Sequence, residues 1–266
     1  FAALDAIPGA GRLPIDALAV WAPGVPALDN AAVRRIREQW AAAARASLPA
    51  PPPRPAIAPV GNRKLRIGYC SAFFGAENYM KFIWGAVNAH DRDRFELHFF
   101  SDDDKPPSAG YRDHPADRFH AVRGAPNAGL ADYVRAQRID VLVDLSSYSF
   151  LPRLPLFLCN PAPVLIAWVS LYATSGMAEF DVLVGDDAAV RPDEANDYTE
   201  RWREALPVSY LAFEVPYPVP DVSAPPMRRS GGPIRFGSFC SHYKFTDQTL
   251  AAWAAILGAA PGATLL

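Results

Sequence analysis

The chain has 266 residues, half of them hydrophobic, and a formal net charge of −2 at pH 7. A chain this long buries a sizeable core and forms one large domain or two small ones. The charge balance gives no reason to expect a nucleic acid or an anionic membrane as partner, and no apolar run reaches the roughly 20 residues that span a bilayer.

Cys70, Cys159 and Cys240 are far apart and form no CxxC pair. Reduced thiols in a cytosolic protein are expected, without a structural zinc. The five histidines, His90, His98, His114, His120 and His242, show no metal-ligand or triad spacing. The chain opens at Phe1 and closes in "GATLL", which reads as mid-strand, so a piece of a longer protein is expected.

In chain order, "NAAVRRIREQWAAAARASL" reads as a helix. Val33, Ile36 and Trp40 share one face, and Asp29 or Asn30 caps its start. The prolines of "PAPPPRPAIAP" end it. Residues 1–60 thus read as a helical connector with a proline-rich linker. A helical repeat array upstream stays open as an alternative.

Residues 61–213 alternate strand and helix. "KLRIGYCSA" is a strand, "NYMKFIWGAVNAH" a helix, "FELHFFSD" a strand, "GLADYVRAQR" a helix and "IDVLVDL" a strand. The apolar "RLPLFLC", strands in "PVLIAWV" and "FDVLVGD", and a helix in "RPDEANDYTERW" follow. Continuous apolar strands suit a parallel sheet covered on both faces. The alternation predicts a doubly wound, Rossmann-like α/β fold.

Such sheets collect ligands at the loops leaving the strands' carboxyl ends. "SAFFGAEN", "SSYS" and "LYATSG" occupy those places and are small or polar. Plain turn chemistry is the alternative for any one of them. The run Asp102–Asp104 reads as a solvated strand end, with a metal or phosphoacceptor site as the weaker alternative.

Residues 214–233 form a proline-rich linker ending in Gly231 and Gly232. From 234 the α/β pattern restarts: strand "IRFGSF", helix "TDQTLAAWAAILGAA", then "ATLL". Thr246 is a natural N-cap, and Asp247 suits the positive end of the helix dipole. Lys244 lies at the strand-to-helix turn, a place suited to a phosphate, although a solvated loop lysine is the commoner case.

"LRIGYCSAFFG", "RIDVLVDLSSY", "NPAPVLIAWVSLYATSGMAEFDVLVGD" and "FGSFCSHYKFTDQTLAAWAAILGAAPGATLL" occur in that order. Together they resemble the catalytic region of the O-GlcNAc transferase and SPINDLY-like glycosyltransferases, family 41, from Lys64 to Leu266. The resemblance implies a GT-B architecture of two Rossmann-like domains flanking a cleft, with only the start of the second, UDP-sugar-binding domain in residues 234–266. It also makes the helix and linker before Lys64 similar to the connector that follows a tetratricopeptide array. It implies metal-independent transfer of a sugar, usually N-acetylglucosamine, from a UDP-sugar to Ser or Thr hydroxyls of a protein, and no other cofactor.

By resemblance, Lys244 contacts the donor diphosphate. Its neighbours Ser241, His242 and Thr246 complete the donor side. Tyr148, Thr174, Ser175 and Gly176 belong to cleft loops near sugar and acceptor. Without a metal, the leaving diphosphate must be met by a lysine, backbone N–H groups and a helix N-terminus. Several positions depart from the family. Glu77 stands where a histidine is often proposed as base, and acts as one only if burial raises its pKa. Ser147 and Tyr148 replace a Gly-His or Gly-Tyr pair, Ser241 a glutamine, and Ser170 to Ala173 a Gly-Tyr-Pro-Gly. A non-catalytic relative that binds a nucleotide or a partner protein is the alternative to an enzyme. This chain by itself is expected to be inactive.

Overall fold

The computed structural model describes residues 14–169, 173–200, 202–206, 208–224, 232–241 and 244–266, with 202–205 described by their backbone alone. The described residues up to Pro216 belong to one compact unit, and those from Tyr217 to Leu266 to a second.

Two helices precede the sheet: α1 (Ile15–Trp21) and α2 (Asn30–Ala46). Asp29 caps α2, its carboxylate accepting from Ala32 N at 2.7 Å. Val33, Ile36 and Trp40 are buried, as their spacing predicts. The segment 1–60, expected as a connector, contributes both helices to the first unit. They share a core with Tyr148, Phe157 and Leu165. Helix α1 has seven residues, too few for its periodicity to show in the sequence. It is held by tertiary bonds instead: Arg37 Nε donates to Ala19 O at 3.1 Å, and Trp40 Nε1 to Asp16 Oδ1 at 2.8 Å.

The sheet of the first unit has seven strands: β1 (Leu65–Ser71), β2 (Phe95–Ser101), β3 (Arg118–Ala121), β4 (Val141–Asp144), β5 (Val164–Trp168), β6 (Val182–Asp186) and β7 (Trp202–Leu206). Their order is β3-β2-β1-β4-β5-β6-β7, and every pairing is parallel. The chain winds outward from β1 to β3, then returns to the other side of β1 with β4. That reversal makes the β1–β4 junction the switch point of a doubly wound sheet.

Both faces are covered. Phe100, Leu142 and Leu165 face the core shared with α1, α2 and α5 (Asn127–Ala136). Leu97, Phe99 and Val143 face the opposite core with Met80, Trp84 and Val87. Burying each such side chain fully contributes about 1.5–3 kcal/mol.

Three elements differ from the sequence expectation. The helix expected from Asn78 to His90 is two short ones, α3 (Glu77–Met80) and α4 (Trp84–Asn88). The segment 212–214 crosses there: Ala212 N donates to Phe82 O, Glu214 N to Lys81 O, and Gly85 N to Ala212 O. Those bonds take the backbone groups a continuous helix needs. A Cβ at Gly85 would lie 2.5 Å from Ala212 O, so only glycine admits the crossing. "RPDEANDYTERW" is not one helix but a 3-10 turn, Pro192–Asp197, followed by β7. Strand β3 was not foreseen. Edge strands β3 and β7 are mixed in polarity, so neither shows the apolar run of a central strand.

In the second unit, β8 (Arg235–Phe236) pairs in parallel with β9 (Thr264–Leu265), connected through α6 (Asp247–Ala259). This is a βαβ unit. Trp253 on α6 meets the ring of Phe245 edge-on at 4.8 Å.

Candidate functional site

Because β1, β4 and β5 are parallel, the loops carrying Glu77, Tyr148 and Thr174 leave one edge of the sheet. The first two loops are tied across the switch point. Ala72 N donates to Ser146 Oγ at 2.9 Å, and Tyr79 OH to Leu145 O at 2.6 Å. Glu77 opens the four-residue α3 and is exposed. The burial that its role as base requires is not supplied by the first unit's described residues.

The loop Thr174–Gly176 is not an open lining. Thr174 and Ser175 are 1% and 0% exposed. Their polar atoms are engaged by protein groups on two sides. On the carbonyl side, Arg37 Nη1 donates to Thr174 O at 2.7 Å, and Tyr148 OH donates to Ser175 O at 2.7 Å. On the amide side, Glu200 accepts from Thr174 Oγ1 at 2.8 Å and from Ser175 N at 2.6 Å. Thr199 N and Gly176 N donate to Thr174 Oγ1, and Met177 N to Ser175 Oγ. The two hydroxyls therefore fix the loop. Gly176 has φ +72°, and a Cβ there would lie 2.5 Å from the Arg37 carbonyl carbon. Ser170, Leu171 and Tyr172 lie outside the described residues.

Arg37 is 1% exposed. Its guanidinium carbon lies 3.9 Å from the ring centre of Tyr148. Burial lowers its pKa to about 10, against the opposing pull of Tyr148 and Glu200. Burial likewise raises the Tyr148 phenol. Such a charge is tolerable only when it is paired and hydrogen-bonded. Carbonyls, a ring face and a nearby carboxylate provide that here.

Asp144 closes β4 at the switch point and is 3% exposed. Its Oδ1 accepts from Ser146 N at 3.0 Å and Ser147 N at 3.1 Å, while Oδ2 has no partner among the described residues. Burial pushes its pKa up to about 6, against those two backbone bonds. Ser147 adopts φ +42°, a backbone that L residues rarely hold.

A cavity of about 610 Å³ opens at the carboxyl ends of β1 to β3, walled by Phe73, Asp103, Lys105, Arg123 and Phe150. Its size suits a small ligand or one side chain of a polypeptide. The "SDDD" run is not a solvated face throughout. Asp102 is buried against Arg153, and Asp103 accepts from Gly75 N at 2.9 Å and Lys105 N at 3.0 Å. Asp104 pairs with Arg123. Among the described residues no cluster of three His, Cys, Asp or Glu is arranged to hold a metal ion, and no helix is long and apolar enough to cross a membrane.

In the second unit, Thr246 caps α6, its Oγ1 accepting from Thr249 N at 3.1 Å, with Asp247 in the first turn. Lys244 and Ser241 are exposed, and Lys244 N donates to Ser241 O at 2.9 Å. An exposed lysine just before a capped helix N-terminus can meet an anion. His242 lies outside the described residues. Arg37, Glu200, Asp144 and Arg153 were not singled out from the sequence. A buried charge opposite a distant backbone leaves no local pattern.

Comparison with known proteins places this geometry in a family. The pattern of "Glycosyl transferase family 41" matches residues 54–211. Over 209 residues the chain is 29% identical to "Probable UDP-N-acetylglucosamine--peptide N-acetylglucosaminyltransferase SPINDLY" of Arabidopsis thaliana, covering 77% of this chain and 23% of that protein. The corresponding Arabidopsis protein SEC is 27% identical over 236 residues, 84% of this chain and 24% of its own. A solved mutant of the Thermobaculum terrenum O-GlcNAc transferase superposes with a TM-score of 0.76 at 31% identity, covering 94% of this chain and 47% of that one. The chain thus spans about a quarter of the length of the curated relatives it matches. The parallel sheet, its switch point and this likeness give the GT-B, Rossmann-like fold expected from the sequence. The chain belongs to glycosyl transferase family 41.

Proposed function

We propose that the full-length protein transfers a sugar from a UDP-sugar to Ser or Thr hydroxyls of a protein, with N-acetylglucosamine the first candidate donor sugar. The observation that carries this reading is the family match over residues 54–211, together with the likeness to an O-GlcNAc transferase structure. In this reading Lys244 and the capped N-terminus of α6 meet the charge that grows on the leaving diphosphate. The loops at the carboxyl edge of the first sheet form the acceptor side. No metal is required, and the site of action is the cytoplasm.

The test is a profile of UDP-sugar hydrolysis and transfer to peptides by the full-length protein across several donors, with and without divalent cations. Transfer from one UDP-sugar, undiminished by a chelator, is expected. This chain alone, which spans about a quarter of the length of the curated relatives it matches, should transfer nothing. A full-length protein that binds UDP but transfers no sugar would establish instead the non-catalytic, nucleotide-binding reading, which the exposed Glu77 favours.

A further inference from the structure

We propose that Arg37, on the helix preceding the sheet, is a positioning residue of the transferase site, holding the loops that leave β4 and β5 in fixed register. The inference rests on the transferase reading above and deepens it.

Three separate parts of the chain meet at one guanidinium. Nε donates to Ala19 O at the end of α1. Nη1 donates to Thr174 O in the loop after β5. The flat face lies on Tyr148, in the loop after β4. Tyr148 closes the circuit, donating its hydroxyl to Ser175 O. Trp40, one turn further along α2, meets the Tyr148 ring edge-on at 5.3 Å. From the opposite side Glu200 takes the Ser175 amide and the Thr174 hydroxyl. The loop backbone is thus held by a cation on the Thr174 carbonyl, a phenol on the Ser175 carbonyl and an anion on its donors.

The chemistry demands arginine. A planar fork spans two carbonyls and stacks on a ring at once; a compact ammonium cannot. Simple filling of space between helix and sheet needs no charge, and a buried charge is unfavourable unless it is paired and hydrogen-bonded. The two loops so fixed flank the edge where open α/β sheets bind ligands. An apolar side chain would pack α2 as well but would leave Thr174 O without its donor.

The experiment compares Arg37→Lys, Tyr148→Phe and Val134→Ala with wild type in the full-length protein. Val134 is fully buried on α5 in the core that also holds Tyr148, and its side chain offers no polar contact to the clamp, so its truncation reports loss of core packing alone. Peptide transfer from UDP-N-acetylglucosamine is measured well below each variant's melting midpoint, and UDP affinity by titration. Arg37→Lys should lower kcat about tenfold or more, since small misplacements of positioning groups carry such losses. Its UDP Kd should stay within about twofold, because the diphosphate side is assigned to the second unit. Val134→Ala should keep kcat within about twofold at a comparable loss of melting temperature. An Arg37→Lys enzyme with wild-type kcat, or one that Val134→Ala matches, overturns the proposal. If Arg37→Lys does not fold, Tyr148→Phe decides: it removes one hydroxyl and keeps the ring. A threefold or greater fall in kcat, on the order of 0.7 kcal/mol, supports the clamp; unchanged turnover overturns it. A wild-type protein that transfers no sugar removes the transferase reading and this inference together. A wild type that transfers, beside an unaffected Arg37→Lys, removes this inference alone.

Discussion

Arg153 and Asp102 meet through two hydrogen bonds, Nε to Oδ2 at 2.8 Å and Nη2 to Oδ1 at 2.6 Å, with both residues buried. Arg153 also donates to Val122 O, Ala125 O and Asn127 Oδ1. One ion pair thereby ties the end of β2 to the segment entering α5 and to the 3-10 run Ser147–Cys159 that follows β4. Removing one partner leaves the other charge buried and unpaired, at a cost of about 3–5 kcal/mol. Asp102→Asn and Arg153→Met should each lower unfolding free energy by that amount in urea titrations. The paired replacement Asp102→Leu with Arg153→Met should recover part of it. A single variant within 1 kcal/mol of wild type, by order of magnitude, would show that the pair is not isolated from solvent.

Gly176→Ala tests the seating of α2. The position has φ +72°, and the added Cβ would meet Arg37 backbone carbon at 2.5 Å and Glu38 N at 2.7 Å. A left-handed alanine costs roughly 1–2 kcal/mol, and overpacking adds about 1–3 kcal/mol. Unfolding free energy should fall by the sum, and the Trp40 fluorescence environment should change. A neutral substitution would mean that helix and loop separate freely.

Asp144 gives stability a pH dependence of unusual sign for a carboxylate. Its folded pKa, near 6, lies above the unfolded value of 3.8 because burial disfavours the anion. Between those values the folded state binds more protons than the unfolded one, so stability falls as pH rises. The contribution is complete below the unfolded pKa and gone above the folded one. Its full size is on the order of 3 kcal/mol. Asp144→Asn keeps an oxygen to accept from the Ser146 and Ser147 amides and cannot ionise. The variant should gain on wild type steadily from pH 4 to pH 6.5 in denaturant titrations. A constant difference across that interval would mean that Asp144 titrates as an ordinary carboxyl group.

The central strands were legible because they are continuous apolar runs covered on both faces: Val141–Asp144 and Val182–Asp186 fell where their composition placed them. The capped starts of α2 and α6 were legible for a similar reason, since a cap is a local chemical pattern. "LYATSG" reads in the sequence as a small, polar loop at a strand end, but what holds it lies elsewhere in the chain. Its partner Arg37 is 137 residues from Thr174, and Glu200 is 26 residues away. No window on the sequence joins them. The split of α3 from α4 was hidden in the same way, because the backbone groups that interrupt it belong to residues 212–214.

Lys244 is the most direct test of the donor side. If it meets the leaving diphosphate, it stabilises the transition state more than the ground state, because charge grows there. Lys244→Ala in the full-length protein should then lower kcat on the order of 10²-fold or more, by analogy with loss of one preorganised electrostatic group. UDP binding should weaken too, since UDP already carries part of that charge. Lys244→Arg should rescue poorly, because a planar fork does not replace a compact ammonium at a tight turn. Glu77→Gln supplies the contrast. Its exposed position predicts nearly unchanged UDP affinity, and turnover should fall only if a bound acceptor buries the carboxylate and makes it the base. Steady-state transfer and UDP titration on the three variants separate these roles. Wild-type turnover in Lys244→Ala would make the lysine a solvated loop residue and return the diphosphate to backbone donors such as those at the Thr246-capped start of α6.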